Sequence, residues 1–513
     1  MGGLPIDQSQ SVLPVMRHNS DLTTTILREE FSMVMAPQYG TSSEQPPQGW
    51  FPTAYTILFV LVIAMAALTW IVPAGEYQRV PNSVLGKDVP VPGTYATVDA
   101  APQGVLDVLM APIAGFYDPS SYTANAIDVS LFVLIVGGFP GVLTATGAIN
   151  TGVATAMRKL EGREKWMIPI MMALFAAGGT TYGMAEETLA FYVLLIPIMI
   201  AAGYDALTGV AIIMLGAGVG VIGSTINPFS TTIASNAAGI AFTQGMTLRF
   251  VILGLSWLAA VAFVMRYAER VRLDPSQSLV AHMKDANEAH FLQKHAPTEG
   301  AHLTAMQIAI LILFAATFVV MVWGVSSQGW WMAEMSALFL GAAIVIGTLG
   351  WLGEKVFTSA FVEGARDLLG VALVIGLARG IVIIMDQGRI TDTFLHTFEG
   401  WISGMSQVAF VNALFGIEAL MSFLVPSTSG LAVLSMPVMA PLSDFAGVSR
   451  DLAVTAFQTA IGITNLVAPT YAVVVGGLAI GRIPYNTWLR FVWPLLVILS
   501  LMSMALLSAA VML

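Results

Sequence analysis

Apolar stretches long enough to cross a bilayer recur from Trp50 to the C-terminus, and that recurrence constrains the fold more than any motif. A spanning helix needs about 20 predominantly apolar residues. Runs of that order lie at about 51–72, 127–149, 248–265, 304–324, 331–352, 366–386 and 487–511. Only 10% of the residues are charged, against about 25% in soluble domains. The expectation is an all-α integral membrane protein, since a β-barrel would instead show segments of about 10 residues with alternating polarity. A net charge of −10 argues against nucleic acid as a partner. The absence of cysteine excludes disulfides, thiolate metal sites and cysteine nucleophiles.

Connector charge orients the chain. Residues 1–49 are polar and read as a poorly ordered tail, with a short amphipathic piece around Leu22–Val34. The stretch of about 74–126 is polar and holds only two basic residues, Arg79 and Lys87, whereas "MRKLEGREKW" and the loop 266–303 are rich in Lys and Arg. The positive-inside rule then puts those two basic loops and the N-terminus in the cytoplasm and the C-terminus outside, in a multi-pass cytoplasmic (inner) membrane protein.

Two spans are interrupted where they should continue. "GSTINPF" breaks a span of about 208–236, and "GITNLVAPT" breaks one of about 452–478. Each is preceded by a pair of apolar segments, at about 167–201 around "GGTTYGMAEETLAF" and at about 408–442 around "VPSTSG". The arms of the first pair, only about 10–12 residues long, suit a re-entrant hairpin. "GGFPGVLTATGAINTGV" lies over "GLARGIVIIMDQGRITDTF", pairing Gly141 with Gly380, and "IPIM" lies over "MPVM". The chain thus reads as two inverted-topology repeats, 50–265 and 331–513, each with a re-entrant hairpin and a broken helix. The loop 266–303 and a linking helix at 304–330 join them. Secondary transporters with this architecture bind their substrates near the midplane.

A helix that stops inside the bilayer leaves N–H and C=O groups needing partners, and Pro228 and Pro469 enforce such stops. The freed carbonyls, with Ser224, Thr225, Asn227, Thr464 and Asn465, form a hard-oxygen environment suited to Na⁺, while half-helix N-termini favour a carboxylate. Glu186 and Glu187 at the first tip would carry a coupling proton, neutralise a cation or hold an amino or guanidinium group; the alternative is a solvated turn. The second tip carries no acid, which would fit an asymmetric substrate. Arg379 lies within a span, with Asp386 seven residues on and on the same helical side; the two form a structural pair, or Arg379 meets a substrate carboxylate. His282, His290, His295 and His302 lack ligand spacing, no Walker motif appears, and no nucleophile–base set supports an enzyme. Coupling to Na⁺ or H⁺ is expected, with no other cofactor. A channel or a membrane-embedded sensor remains as a remoter reading.

The motifs "GMAEETLAF", "GSTINPF", "GLARGI", "VPSTSGLAVLSMPVMAPLSDFAGVSR" and "AIGRIPYNTWLRF" together resemble the YfcC branch of the anaerobic C4-dicarboxylate carrier-like family, over nearly everything from Trp50 onward. The resemblance implies the ion transporter superfamily: homodimers with a scaffold domain and a transport domain that moves like an elevator. By it, the tips (Thr180, Thr181; Ser427, Thr428, Ser429) and the breaks (Ser224, Thr225, Asn227; Thr464, Asn465) would bind ions and substrate. The dicarboxylate/sodium symporters of that superfamily carry Ser-Asn-Thr at both tips, where this chain has "GGTTYG" and "PSTSG". Family members are assigned to C4-dicarboxylates, short-chain carboxylates, or arginine exchanged for ornithine. The glutamates lean towards an amino acid such as arginine or ornithine.

Overall fold

A computed structural model describes residues 54–82, 87–117, 125–149, 151–152, 155, 163–181, 183–293 and 303–512. All belong to the unit Phe51–Leu513; the expected N-terminal tail and its amphipathic piece lie outside the described residues. Among the described residues, seven helices are long and apolar enough to cross a membrane.

The first span is helix α1, Ala54–Leu68. The polar stretch that follows is more structured than its composition suggests. It holds two short antiparallel pairs, β1 (Gly75–Glu76) with β4 (Ala96–Thr97) and β2 (Arg79–Asn82) with β3 (Lys87–Pro90). It also holds an apolar helix, α2, at Val105–Tyr117. At 13 residues α2 is too short to register as a span in the sequence. Helix α3 (Ala126–Ala145) then leads to α4 (Met167–Thr181) and α5 (Leu189–Ala201), the arms of the first expected hairpin. Both arms pack on α6 (Ala206–Ile222). Beyond α6 the chain breaks, turns through a π-type turn at Pro228–Thr232, and enters the short helix α7, Ile233–Ala237. Helix α8 (Met246–Leu273) closes the first half and runs further into the expected loop than the apolar run alone predicts. The rest of that loop is partly ordered, with helix α9 at Lys284–Glu288.

The linking helix is α10, Ala305–Gln328. The second half comprises α11 (Met332–Leu349), α12 (Glu354–Asp367), α13 (Leu369–Gln387) and α14 (Thr391–Ile402). Then come the second pair of arms, α15 (Gln407–Leu424) and α16 (Thr428–Phe445), around α17 (Arg450–Thr464). After the second break, α18 (Ala472–Gly481) and α19 (Tyr485–Met512) complete the chain. The arms α15 and α16, 18 residues each, are longer than those of the first pair.

Packing between the halves is reciprocal: α1 and α2 lie on α13, while α11 and α12 lie on α3. Glycines make the close crossings. A Cβ on Gly115 of α2 would meet the backbone of Gly376 and Gly380 in α13, and one on Gly137 of α3 would meet the Gly364 carbonyl of α12. Small residues at such crossings let backbones approach, the usual means of joining helices where apolar burial gives no net drive. Helices α6 and α17 are buried on nearly every side; α6 is apolar all round, as such a helix is expected to be, whereas α17 buries Thr455, Gln458 and Thr459 as well. Both broken helices therefore lie at the centre of the unit. A ring cluster built from Phe139, Phe314, Phe318 and Phe339, with centroids 5.1–5.4 Å apart, ties α3, α10 and α11 together, and Phe191 of α5 joins it against Phe318 at 4.2 Å.

Candidate functional site

Between the two breaks lies a cavity of about 130 Å³. Its walls come from the first tip (Gly183, Ala185, Glu186), the first break (Asn227, Phe229, Ser230), the second tip (Pro426 to Ser429), the second break (Asn465, Thr470, Tyr471) and α13 (Arg379). Of the residues singled out by sequence, Glu186, Asn227, Arg379, Ser427, Thr428, Ser429 and Asn465 meet here. Two features give the cavity its character. Helices α16 and α18 both begin at its wall, so the positive ends of their dipoles favour a carboxylate. An acid, Glu186, and a base, Arg379, line the same small space.

The remaining expected residues are placed nearby but are otherwise occupied. Thr180 stitches the first tip to the first break. Its hydroxyl donates to the Gly223 carbonyl at 3.0 Å and accepts from the Thr225 N–H at 3.0 Å, and its carbonyl accepts from the Ile226 N–H at 3.2 Å. Thr181 turns away and donates to Ala177 O of its own helix at 2.6 Å. The two glutamates separate: Glu186 faces the cavity, while Glu187 is buried and accepts from the Ala185 N–H at 2.9 Å, bracing the tip. Ser224 is fully buried, with Thr231 donating to its hydroxyl at 2.7 Å. Thr464 donates to Ala419 O at 3.4 Å. Asp386 accepts from Thr391 at 2.5 Å and lines a separate space of about 550 Å³, which Arg379 also reaches.

Asn227 shows how local sequence builds the wall. It precedes Pro228 and caps the π-type turn by accepting from the Phe229 N–H at 2.8 Å, while its amide donates to Gly179 O at 3.2 Å. Gly183 adopts a left-handed φ of 80°, and a Cβ there would lie 2.7 Å from the Asn227 side-chain oxygen. Asn465 is held more loosely, donating to Thr428 at 3.4 Å and accepting from Ser422 at 3.5 Å.

Several residues escaped the sequence reading. Trp331 and Phe229, with rings 4.2 Å apart, close one side of the cavity, and Tyr471 lines another. Tyr471 was legible as the second residue after Pro469, but the approach of Trp331 from the start of α11 has no local signal. Gln458 is fully buried on α17; it donates to Ser224 O at 3.1 Å and accepts from Thr231. Arg249 on α8 is fully buried and donates to the Thr225 carbonyl at 3.5 Å and to Gln244 O. Glu418 on α15 is fully buried with neither carboxylate oxygen hydrogen-bonded, while the nearby Ser435 hydroxyl donates instead to Leu431 O at 2.9 Å. A single Glu in "FGIEALMSF" was the available signal for the last of these.

Comparison with known proteins gives the chain its family. The family model described as "C4-dicarboxylate anaerobic carrier", DcuC, matches residues 51–512. An uncharacterized protein of Haemophilus influenzae is 35% identical over 501 residues, covering 90% of this chain and 97% of the relative. The "Putative basic amino acid antiporter YfcC" of Escherichia coli is 31% identical over 498 residues, again 90% of this chain and 97% of the relative. Among solved structures, the YdaH transporter of Alcanivorax borkumensis aligns over 89% of this chain and 98% of its own, at 13% identity and a TM-score of 0.43.

Proposed function

Since the chain belongs to the C4-dicarboxylate anaerobic carrier (DcuC) family of membrane transporters, in its YfcC-like branch, we propose that it is a secondary transporter of a small carboxylate-bearing solute, an amino acid such as arginine or ornithine, with the central cavity as its binding site. The observation that carries this reading is the pairing of Glu186 with Arg379 in one small cavity rimmed by two helix N-termini. A zwitterion with an added cationic group matches that set: the carboxylate is met by Arg379, the tip hydroxyls and the helix ends, and the cationic end by Glu186. A dicarboxylate would place a second negative charge against Glu186. The printed name of the Escherichia coli relative, "Putative basic amino acid antiporter YfcC", agrees with arginine or ornithine as substrate.

Transport follows from an inverted pair of repeats working as an elevator. Support comes from the reciprocal packing of α1 and α2 on α13 and of α11 and α12 on α3. It also comes from two larger spaces of about 490 and 550 Å³: one runs between α3, α12 and α5, the other between α13 and α16. In this mechanism the hairpins and broken helices slide as one body along α3 and α13, and those spaces give room for the stroke. A homodimer in the inner membrane, with the N-terminus inside and the C-terminus outside, completes the proposal.

Uptake by proteoliposomes tests it directly. Labelled arginine, ornithine, succinate and acetate are offered with and without Na⁺ or proton gradients, and against preloaded lumenal substrate. Arginine or ornithine accumulation, or their exchange, is expected; transport of succinate alone would overturn the amino-acid reading. Asn227→Ala and Asn465→Ala should each weaken substrate binding by roughly tenfold, about the worth of one good polar contact at 1.4 kcal/mol. Glu186→Gln should lower affinity for arginine more than for a neutral amino acid.

A further inference from the structure

The closing helix of each half delivers a buried N–H donor onto the carbonyls freed at the break before it. In the first half, Arg249, the fourth residue of α8, donates to Thr225 O at 3.5 Å. In the second, Trp488, the fourth residue of α19, donates to Leu466 O at 2.9 Å. Both side chains are fully buried, and they stand 239 residues apart, the same interval that relates Gly137 to Gly376 and Gly141 to Gly380. The two donors thus occupy matching places, and one of them carries a charge.

The rest of the first break is equally closed. Its carbonyls already accept from protein: Ile222 O from Thr459 at 3.4 Å, Gly223 O from Thr180 at 3.0 Å, and Ser224 O from Thr231 and Gln458 at 3.1 Å. Thr231 donates within this set and pairs with Gln458. At the second break the matching hydroxyl, Thr470, also 239 residues on, is buried against the cavity wall with no hydrogen-bond partner. A hard cation needs several free oxygens; the four carbonyls of residues 222–225 each already accept a hydrogen bond, the last of them from a guanidinium.

We propose that Arg249 is a tethered cation that stands permanently where a coupling ion would otherwise sit at the first break, so that Ser224, Thr225 and Asn227 bind no Na⁺ and at most one ion couples transport, at the second break. Gly245 makes room for this charge. With a left-handed φ of 74° it lies between Arg249 and Asp451, and a Cβ there would come within 2.9 Å of the Asp451 carboxylate and 3.4 Å of the guanidinium. Asp451 offsets part of the charge across that gap. The fixed cation behind the wall formed by Asn227 and Ser230 also favours a substrate carboxylate in the cavity, because charges in a low-dielectric interior act over longer distances than in water.

The test compares wild type, Arg249→Lys, Arg249→Met and Arg249→Ala. In detergent, guanidinium at about 10 mM, far below the molar levels that denature, should raise the melting temperature of Arg249→Ala but not that of wild type. This arm does not depend on the transport reading. In proteoliposomes, Arg249→Lys should keep most uptake and Arg249→Met should lose at least tenfold, with guanidinium restoring Arg249→Ala. The Na⁺ dependence of wild-type uptake should have a Hill coefficient no greater than one. Melting of Arg249→Ala unmoved by guanidinium, wild-type uptake by Arg249→Met, or a wild-type Hill coefficient near two would each overturn the proposal. Failure of wild type to transport any amino acid would instead sink the transport reading and leave the melting result standing.

Discussion

At the scale of single residues, the side chains that meet the cavity differ from those that hold it open. Thr180 reads in the sequence as a candidate ligand, yet its hydroxyl is spent joining the first tip to the first break. Thr180→Val keeps the shape and removes both bonds, leaving the Gly223 carbonyl without its donor and the Thr225 N–H with only its 3.3 Å bond to the Thr180 carbonyl. The expected cost is about 1–3 kcal/mol, seen as a lower melting temperature with an unchanged order of substrate preference. A change in that order would instead place Thr180 at the substrate. Composition and motif spacing made these residues legible as a polar group; which of them face the cavity depends on side-chain direction. Glu186 and Glu187 are adjacent in the chain and end with opposite roles because the short 3₁₀ turn at Glu186–Thr188 sends one outward and folds the other back onto Ala185 N–H.

Among the helices, the sequence announced α3, α8, α10, α11, α13 and α19 through their length and oiliness, and both breaks through Pro228 and Pro469. It hid α2 and α12. The first is too short to span, and the second is amphipathic, with charged residues at both ends, so neither reads as a membrane element. Their importance lies in the glycine crossings, which no local pattern reveals. Gly115→Leu and Gly364→Leu should each cost about 1–3 kcal/mol through overpacking against backbone, and both should lower the folded yield in detergent. Alanine at Gly254, where a Cβ meets nothing within 4 Å, serves as a control expected to behave as wild type. Helix α15 carries a second kind of information. An ionised carboxylate is expensive to bury, so Glu418→Gln should melt at or above the wild-type temperature. A marked loss of stability would mean that the Glu418 carboxylate holds a partner.

For the molecule as a whole, the two halves are alike in plan and unlike in detail. The links before α2 and before α12 differ most: one is the strand-bearing segment 69–104, the other only 350–353. The longer link is fastened to α14. Arg79 meets Asp392 at 2.8 Å, the Tyr77 hydroxyl donates to Glu399 at 2.6 Å, and the Tyr95 ring stacks on His396 at 4.0 Å. Burial and the neighbouring Glu399 and Asp392 carboxylates push the Tyr77 hydroxyl well above its usual range, so it stays a donor at any physiological pH.

That fastened link gives the protein a porch over α14. Glu76, Arg79 and Asp88 from it, with Arg389, Asp386 and Asp392, rim the space that opens onto Arg379, and among the described residues the space between α3, α12 and α5 has no such strand-borne rim. Under the proposed mechanism, a solute arriving under the porch meets these charges before it reaches the central cavity. The half-exposed charges of Arg79, Arg389 and Glu76 act over roughly 8 Å at physiological ionic strength and over less as salt rises. Raising salt on the porch side should therefore change the KM for a charged substrate by about 2- to 5-fold, while the same change on the other side leaves it unmoved. Measured in oriented proteoliposomes, such a difference would make the carrier a rectifier of capture: symmetric in its machinery, one-sided in whom it admits.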